Sequence, residues 1–549
     1  MSEEKKNSGV KQSFIAGSLV STAGVFLSKF IGLFYMTPFS AIAGGAENIA
    51  YYSAAYNYYS MLLQICTAGI PFAIAAIVAK YWAREDYRTV VLVRRLGTGL
   101  LMASGLIVAV LFALFSKPLA ISIFAGESSA ADILKMQNTF VILSLALFLA
   151  PVLSAYRGYY QGLKEMKAYA DSQVLEQFAR VAFLLGLGAL LVYGLHMDPM
   201  TAVYTGVLST SIGALFALGY YFLFDRKRYG KVLAKARKQK TPSKSRKEVA
   251  KEIVAYGIPY LLAAFLGNSQ TLVNTHFFIR VMTSMGTGLD EAKVLYAIIQ
   301  TYCDKLTSIP QVLSVGFSAG IVPYMTVSLE KRDFKGLNRN IEDCLDTVLY
   351  IALPACFCLF SLAEPIYFVM YGSANLEYGT ICLMWSALLG LTTTISPLCN
   401  SMMLTLKFRK ASLVYLGVGF LVKCITFYPL IKIMGYAGAI VSSALCSLTV
   451  IYLSLVKIHN KFDAHYGRIG IRALKMCIGC IAMNGVFAIA RLLGFFDVSA
   501  GRIVVLLQLA AAGILGALVY LFVTELMKLP KAVFHMDLKH VAGRLLRRA

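Results

Sequence analysis

Ionisable side chains are scarce in this chain: Asp, Glu, Lys and Arg make up 15% of its 549 residues, against about 25% in an ordinary soluble domain. Acids are the scarcer sign, 28 against 52 Lys and Arg, and histidine occurs only six times. No His is paired at ligand spacing, no Ser/His/Asp order stands out and no Gly-rich loop is built to cradle phosphate, so nothing points to an enzyme or a metal centre. The eleven cysteines lie mostly inside apolar runs. Cys477 and Cys480 form one C-x-x-C, but Ile478, Gly479 and Ile481 around them make packing the expected role rather than redox or metal chemistry.

What fills the chain instead is apolar residue in long runs. Hydrophobic residues reach 58%, above the roughly 45–50% of soluble proteins. Stretches 96–116, 139–156, 201–224 and 503–526 run without an acid or base for about 18 residues or more, enough to cross a hydrocarbon core about 30 Å thick. Spans are expected at 13–40, 50–80, 96–116, 139–161, 174–195, 201–224, 253–285, 293–328, 345–372, 380–405, 412–433, 435–457, 471–493 and 501–527. With no long β-barrel alternation, only helices can satisfy so much backbone in lipid. The fold class is therefore an all-α polytopic membrane protein of about fourteen transmembrane helices. Lys5, Lys6 and Lys11 precede a first run too long for a signal h-region and lacking a cleavage pattern, which predicts a retained first helix.

A formal net charge of +24 would suggest nucleic acid in a soluble protein, yet the bases here lie between the apolar runs and read as topology signals. Every even-numbered connection is basic: Arg84, Arg88, Arg94 and Arg95; Lys164 and Lys167; Arg226 to Lys238; Lys331, Arg332, Lys335 and Arg339; Lys407, Arg409 and Lys410; Lys457, Lys461 and Arg468; and the Arg544, Arg547, Arg548 tail. The loops between, such as 44–48, 196–199, 286–291 and 434–438, carry few bases. The positive-inside pattern places both termini in the cytoplasm.

Residues 225–252 are dense in Lys, Arg and Ser and read as a basic cytoplasmic linker, which anionic lipid would also attract. A weak echo, Pro151 ahead of Gln161 to Lys164 and Pro397 ahead of Lys407 and Lys410, suggests two six-helix repeats. The expected organisation is an N-terminal lobe at 1–224, the linker, a C-terminal lobe at 253–457, a helix pair at 471–527 and a basic tail at 528–549.

An ionisable group at mid-membrane costs about 2.5–3.5 kcal/mol on insertion scales and needs a reason. Lys29 in span one and Lys305 in span eight both fall near mid-depth, which suggests one cationic cavity. Asp304 neighbours Lys305, although successive helical residues point about 100° apart. Arg280 lies near the outer end of span seven, while Arg157, Glu176 and Arg180 read as cytoplasmic-side contacts. Tyr35, Gln64, Asn268, Asn274, His276 and Gln300 add polar surface in spans one, two, seven and eight. Gly69, Pro71, Pro310 and Pro323 would allow bends in spans two and eight.

At these residues the sequence resembles the MurJ-like lipid II flippases and the related polysaccharide and stage V sporulation B proteins of the multidrug/oligosaccharidyl-lipid/polysaccharide exporter superfamily. The pieces that carry the resemblance are Leu27 to Gly32 with Ala43-Gly44-Gly45, Tyr302 to Leu306 with Ile309-Pro310, and Ile321-Val322-Pro323. Arg157 to Gly162 and Gly435 to Ala439 look like the polysaccharide branch. The resemblance implies two six-helix lobes around a cationic cavity and a final helix pair grooved for a polyprenyl tail. It implies an undecaprenyl-pyrophosphate-linked sugar as substrate, membrane lipids and cell-wall synthesis enzymes as partners, no nucleic acid, a bacterial cell membrane location, and no cofactor beyond Na⁺ or membrane-potential coupling.

The family's cavity arginines in helices one and eight fall at Lys29 and Lys305, which keep the charge but lose the bidentate fork. Further family bases fall at Tyr35 and near Gln64. The expected substrate-binding set is therefore Lys29, Lys305, Arg280, Tyr35, Gln64, Asn274 and Gln300, with Asp304 as a coupling-ion candidate and no catalytic residue. Export of a different lipid-linked oligosaccharide, for capsule, teichuronic acid or spore cortex, is the nearest rival. A cation-coupled drug antiporter would want a membrane-embedded acid, and span one has none; a non-transporting scaffold has no feature in its favour.

Overall fold

The computed structural model describes residues 34–67, 69–124, 129–239, 244–311, 328–329 and 331–534, with positions 32 and 325. Lys29, Pro323 and the Arg544 to Arg548 tail lie outside the described residues, as does the side chain of Asn268. The chain forms two compact units, Met1–Val294 and Leu295–Ala549. Helices make up both, and no strand occurs among the described residues.

The first unit contains α1 (Met36–Ile42), α2 (Ala46–Thr67), α3 (Ile70–Ala83), α4 (Tyr87–Leu114), α5 (Ser116–Phe124), α6 (Ala130–Gly162), α7 (Met166–Ala189), α8 (Met200–Lys238) and α9 (Arg246–Ser284). A π-helical turn, Leu190–Gly194, extends α7. The scarce acids are spent on helix starts: Asp132 and Glu248 complete capping boxes with Ser129 and Ser245, and Asp86 accepts from the Thr89 amide at 3.1 Å. These bonds satisfy N–H groups that a helix start leaves without partners. Between α2 and α3, Gly69 adopts φ +68° ahead of Pro71, so span two is broken where its Gly and Pro predict a bend. The left-handed conformation suits glycine, which has no Cβ to clash.

Helix α10 (Leu289–Ala297) runs on through a π-helical stretch, Ile298–Cys303, and α-helical residues 304–311. The second unit continues with α11 (Phe334–Ser361), α12 (Ala363–Tyr371), α13 (Leu376–Thr405), α14 (Arg409–Met434), α15 (Ala437–Phe462), α16 (Gly467–Leu492), α17 (Arg502–Leu526) and α18 (Leu529–Phe534). Its core has two clusters, one around Leu337, Cys344, Met402, Met403 and Ile458, the other around Met476, Cys480, Met483, Phe487 and Tyr520. Cys480 thus packs among apolar side chains, as its surroundings in sequence suggest. Tyr520 donates to the Tyr350 carbonyl at 3.0 Å and ties α17 to α11.

Among the described residues, 11 helical stretches are long and apolar enough to cross a membrane. They match expected spans two to six and nine to fourteen, and the protein is a multi-pass membrane protein. Helices α4 and α6 start nine residues before expectation, at Tyr87 and Ala130, and other boundaries differ as follows. Helix α8 continues to Lys238, so residues 225–238 are helix rather than open linker; Asp225 is held by Arg94 and Tyr160, and Val232 and Ala236 are buried. Span nine starts eleven residues earlier, at Phe334, where Asp333 caps α11, and ends at Leu362 before a separate α12. Span five starts at Met166 rather than 174, after Lys164 turns the chain at φ +63°.

Helix α9 packs against α2 and α3 inside the compact unit Met1–Val294. Asn57 donates to Thr275 at 3.2 Å, Tyr58 pairs with His276 at 2.8 Å, and Lys80 meets Glu252 at 2.8 Å.

Candidate functional site

The earlier start of α7 changes where its charges lie. With the helix and its π turn spanning Met166 to Gly194, Arg180 falls near the middle of the helix. It is 8% exposed. Its guanidinium donates to the Tyr56 hydroxyl at 3.1 Å and the Tyr52 hydroxyl at 2.9 Å, and lies over the Tyr56 ring at 5.0 Å. Tyr52 also shares a 3.1 Å hydrogen bond with Tyr35. The arrangement follows from periodicity: Tyr52, Tyr56 and Tyr59 recur at i, i+4 and i+7, so α2 presents one phenolic face. Tyr52 and Tyr56 stack at 5.6 Å, and Tyr56 and Tyr59 meet at 5.4 Å.

One turn below on α7, Glu176 accepts from Arg157 of α6 at 2.6 Å, and Arg157 also reaches Ser172 at 3.2 Å. Tyr221 of α8 donates to the same serine at 3.1 Å. Gly213 lets α8 approach: a Cβ there would stand 2.7 Å from the Glu176 carbonyl and 3.1 Å from the Arg180 Cβ. A polar seam therefore runs through the first unit from Tyr35 to Tyr221.

Its electrostatics are unbalanced. Other buried bases of this unit have acids: Arg94 has Asp225, Arg157 has Glu176, and Lys293, 1% exposed, has Asp132 at 3.2 Å and Asp290 at 3.0 Å. Arg180 forms no ion pair among the described residues, and its Nε–H is buried without an acceptor there. Phenols and a ring face stabilise a guanidinium less than a carboxylate does. Such a charge is costly in a membrane span and marks a site that an anionic group would complete.

Of the expected residues, Tyr35 is buried and joins this seam. Asn274 is buried on α9 beside Thr275 and His276, which contact α2. Gln64 is half-buried near the end of α2, and Arg280 is exposed. In the second unit Gln300 lies within the π-helical stretch, with Asp304 and Lys305 just after it; Asp304 is exposed and Lys305 half-buried. A π-helical insertion commonly marks a functional position. Tyr302 stacks on Tyr371 at 4.0 Å beside it, and Gln311 donates to Thr393 at 3.0 Å. Arg180, assigned from the sequence to cytoplasmic-side contacts, is the base that the seam surrounds with phenols, and the spacing of Tyr52, Tyr56 and Tyr59 was the signal for that surrounding.

A family model described as "Polysaccharide biosynthesis protein" matches residues 14–328, more than half of the chain. The chain belongs to this polysaccharide biosynthesis family. It is 28% identical to the lipid II flippase MurJ of Bacillus subtilis (strain 168) over 93% of this chain and 95% of the relative. It is 25% identical to stage V sporulation protein B of the same organism over 66% of this chain and 68% of the relative. Two solved structures share the family fold: a lipid II flippase MurJ in an inward closed conformation, with TM-score 0.64 and 16% identity over 93% of this chain and 98% of that one, and an inward-facing MATE multidrug transporter, with TM-score 0.61 and 15% identity over 81% and 98%. Drug transporters share this fold, so the choice of cargo rests on the site.

Proposed function

We propose that this family member is a flippase that moves a lipid-linked peptidoglycan precursor, lipid II, from the inner to the outer leaflet by alternating access. A polar, anionic headgroup cannot cross hydrocarbon unaided, whereas its polyprenyl tail can stay in lipid. Bases at mid-depth lower the barrier for the headgroup, and closure on alternate sides carries it across. The observation that carries this reading is Arg180, buried at mid-helix among phenols with an unoccupied Nε–H and no ion pair among the described residues. A cationic drug would be repelled there, and a pyrophosphate would be attracted. Similarity to MurJ along nearly the whole chain supports the same cargo.

In this reading both termini are cytoplasmic, Lys29, Lys305 and Arg180 each supply positive charge for an undecaprenyl-pyrophosphate substrate, and α16 and α17 hold its tail. The protein needs no cofactor, and transport is coupled to Na⁺ or to the membrane potential, which would act on the bases at about 2.3 kcal/mol per charge per 100 mV. Its work is transport rather than catalysis. The family description and the sporulation relative favour a second cargo, another polyprenyl-linked oligosaccharide.

Complementation of a bacterial strain depleted of its lipid II flippase separates the two. Growth is expected with the wild-type chain, and outer-leaflet lipid II is expected to fall about 10-fold or more in Arg180→Ala and Lys305→Ala. Failure of the well-expressed wild type to complement would transfer the assignment to the second cargo. Full transport by both variants would remove the anionic site.

A further inference from the structure

In the second unit a cavity of about 360 Å³ opens where α11 and α16 end and α12 and α13 begin. Pockets of this volume accept small ligands or lipid headgroups. Phe360, Met384, Phe487 and Ala488 make its apolar lining. Its polar groups have two properties that the packing of the unit does not explain.

The first is a pair of opposite charges that do not meet. Glu364, in the first turn of α12, and Arg491, in the last turn of α16, both line the cavity and are exposed. No ion pair joins them among the described residues, and Arg491 instead donates to the Ser361 carbonyl at 3.1 Å. The second is a set of polar atoms with capacity to spare. The hydroxyl oxygen of Thr380 is buried and has no hydrogen-bond partner among the described residues, a condition that costs stability unless a bound group relieves it. Ser361 donates to the side-chain oxygen of Asn484, which leaves that amide's nitrogen as a donor.

A ligand that fits carries an anion for Arg491 and Asn484, a separate cation with N–H donors for Glu364, and an apolar portion for the lining. Phosphate, primary ammonium and acyl chain in one molecule describe an aminophospholipid. The helix ends in question are those that the positive-inside pattern assigns to the outer face, the side on which outer-leaflet headgroups lie. We propose that this cavity is a binding site for phosphatidylethanolamine of the outer leaflet, with its phosphate on Arg491, its ammonium on Glu364 and its chain against Phe360 and Phe487. The bound lipid bridges the outer ends of α11, α12, α13 and α16. This site is separate from the transported headgroup, and its assignment does not depend on which cargo the protein carries.

Native mass spectrometry of the full-length, delipidated protein titrated with phosphatidylethanolamine, phosphatidylcholine or phosphatidylglycerol tests it. One high-occupancy adduct is expected with phosphatidylethanolamine. Occupancy is expected to fall about five-fold in Glu364→Gln and in Arg491→Ala, and to fall also in Thr380→Val, with thermal unfolding confirming that each variant is folded. Phosphatidylcholine, whose quaternary ammonium has no N–H, is expected to bind more weakly. A photoreactive phosphatidylethanolamine is expected to label peptides containing Ser361 to Glu364 or Asn484 to Arg491. Equal binding of phosphatidylglycerol that Glu364→Gln leaves unchanged would overturn the proposal, as would labelling confined to other helices or unaltered occupancy in both charge variants.

Discussion

Lys423 shows how far a single residue can be read. In the chain it is a lone base in an apolar run; in the structure it is fully buried on α14, 0% exposed. Its ammonium donates to the Ala439 carbonyl at 3.1 Å and to the hydroxyls of Ser442 and Ser443, each at 2.8 Å, and lies 4.8 Å from the centre of the Phe427 ring. Both serines also donate to the Ala439 carbonyl at 3.0 Å, so they keep an acceptor if the ammonium is removed. Lys423→Met preserves most of the volume and removes a desolvated charge, so stability is expected to change by about 1 kcal/mol or less. Lys423→Ala also deletes packed methylenes and is expected to cost about 2 kcal/mol or more. Thermal unfolding in detergent distinguishes them, and equal losses would show that the charge itself stabilises α14 against α15. The sequence shows both Lys423 and Arg180 as bases within expected spans. It does not reveal which of them is satisfied within the protein, because that depends on Ser442, Ser443, Tyr52 and Tyr56 arriving from other helices.

At the scale of elements, the apolar runs locate the spans well because length and composition alone decide whether a segment can cross lipid. Their ends are less legible. Helix α7 begins in Met166-Lys167-Ala168-Tyr169-Ala170-Asp171, a stretch too polar to count as membrane but sound as helix, and that turn and a half places Arg180 near the middle of the helix. Helix α8 similarly carries its helical geometry into a basic segment because Tyr229, Val232 and Ala236 still have a core to pack on. The contact that positions Arg180 is the close approach of α7 and α8 at Gly213. Gly213→Ala is expected to cost about 1–3 kcal/mol by overpacking against the α7 backbone and to reduce transport by displacing Arg180. Gly219→Ala, on the same helix with nothing within 4 Å of its added methyl, is the control. A Gly213→Ala protein with wild-type unfolding temperature and transport would mean that α7 and α8 separate without consequence for the seam.

At the scale of the whole molecule, the change of compact unit at Val294 and Leu295 was hidden in the sequence, which shows its conspicuous break at the basic segment 225–252. Charge density marks where chain leaves the membrane, whereas unit membership follows from which apolar and polar faces meet, as the α9 contacts of Thr275, His276 and Glu252 do. Orientation, by contrast, is a property that charge does determine, since bases are retained on the cytoplasmic side during insertion. The segments before Arg88, after Arg226 and around Lys335 are rich in bases, and the α16–α17 connection is flanked by two, Arg491 in the last turn of α16 and Arg502 at the start of α17. Arg491 bonds the Ser361 carbonyl, and the Arg502 guanidinium lies against Gly372, so both serve local contacts. They are therefore expected not to override the positive-inside signal. In a functional variant with the native cysteines replaced, a cysteine at Ser499 is expected to react with a membrane-impermeant maleimide in intact cells. One at Ser245 is expected to react only after permeabilisation. The reverse pattern would invert the orientation, place the Glu364–Arg491 cavity at the inner leaflet, and require that any lipid bound there come from the cytoplasmic side.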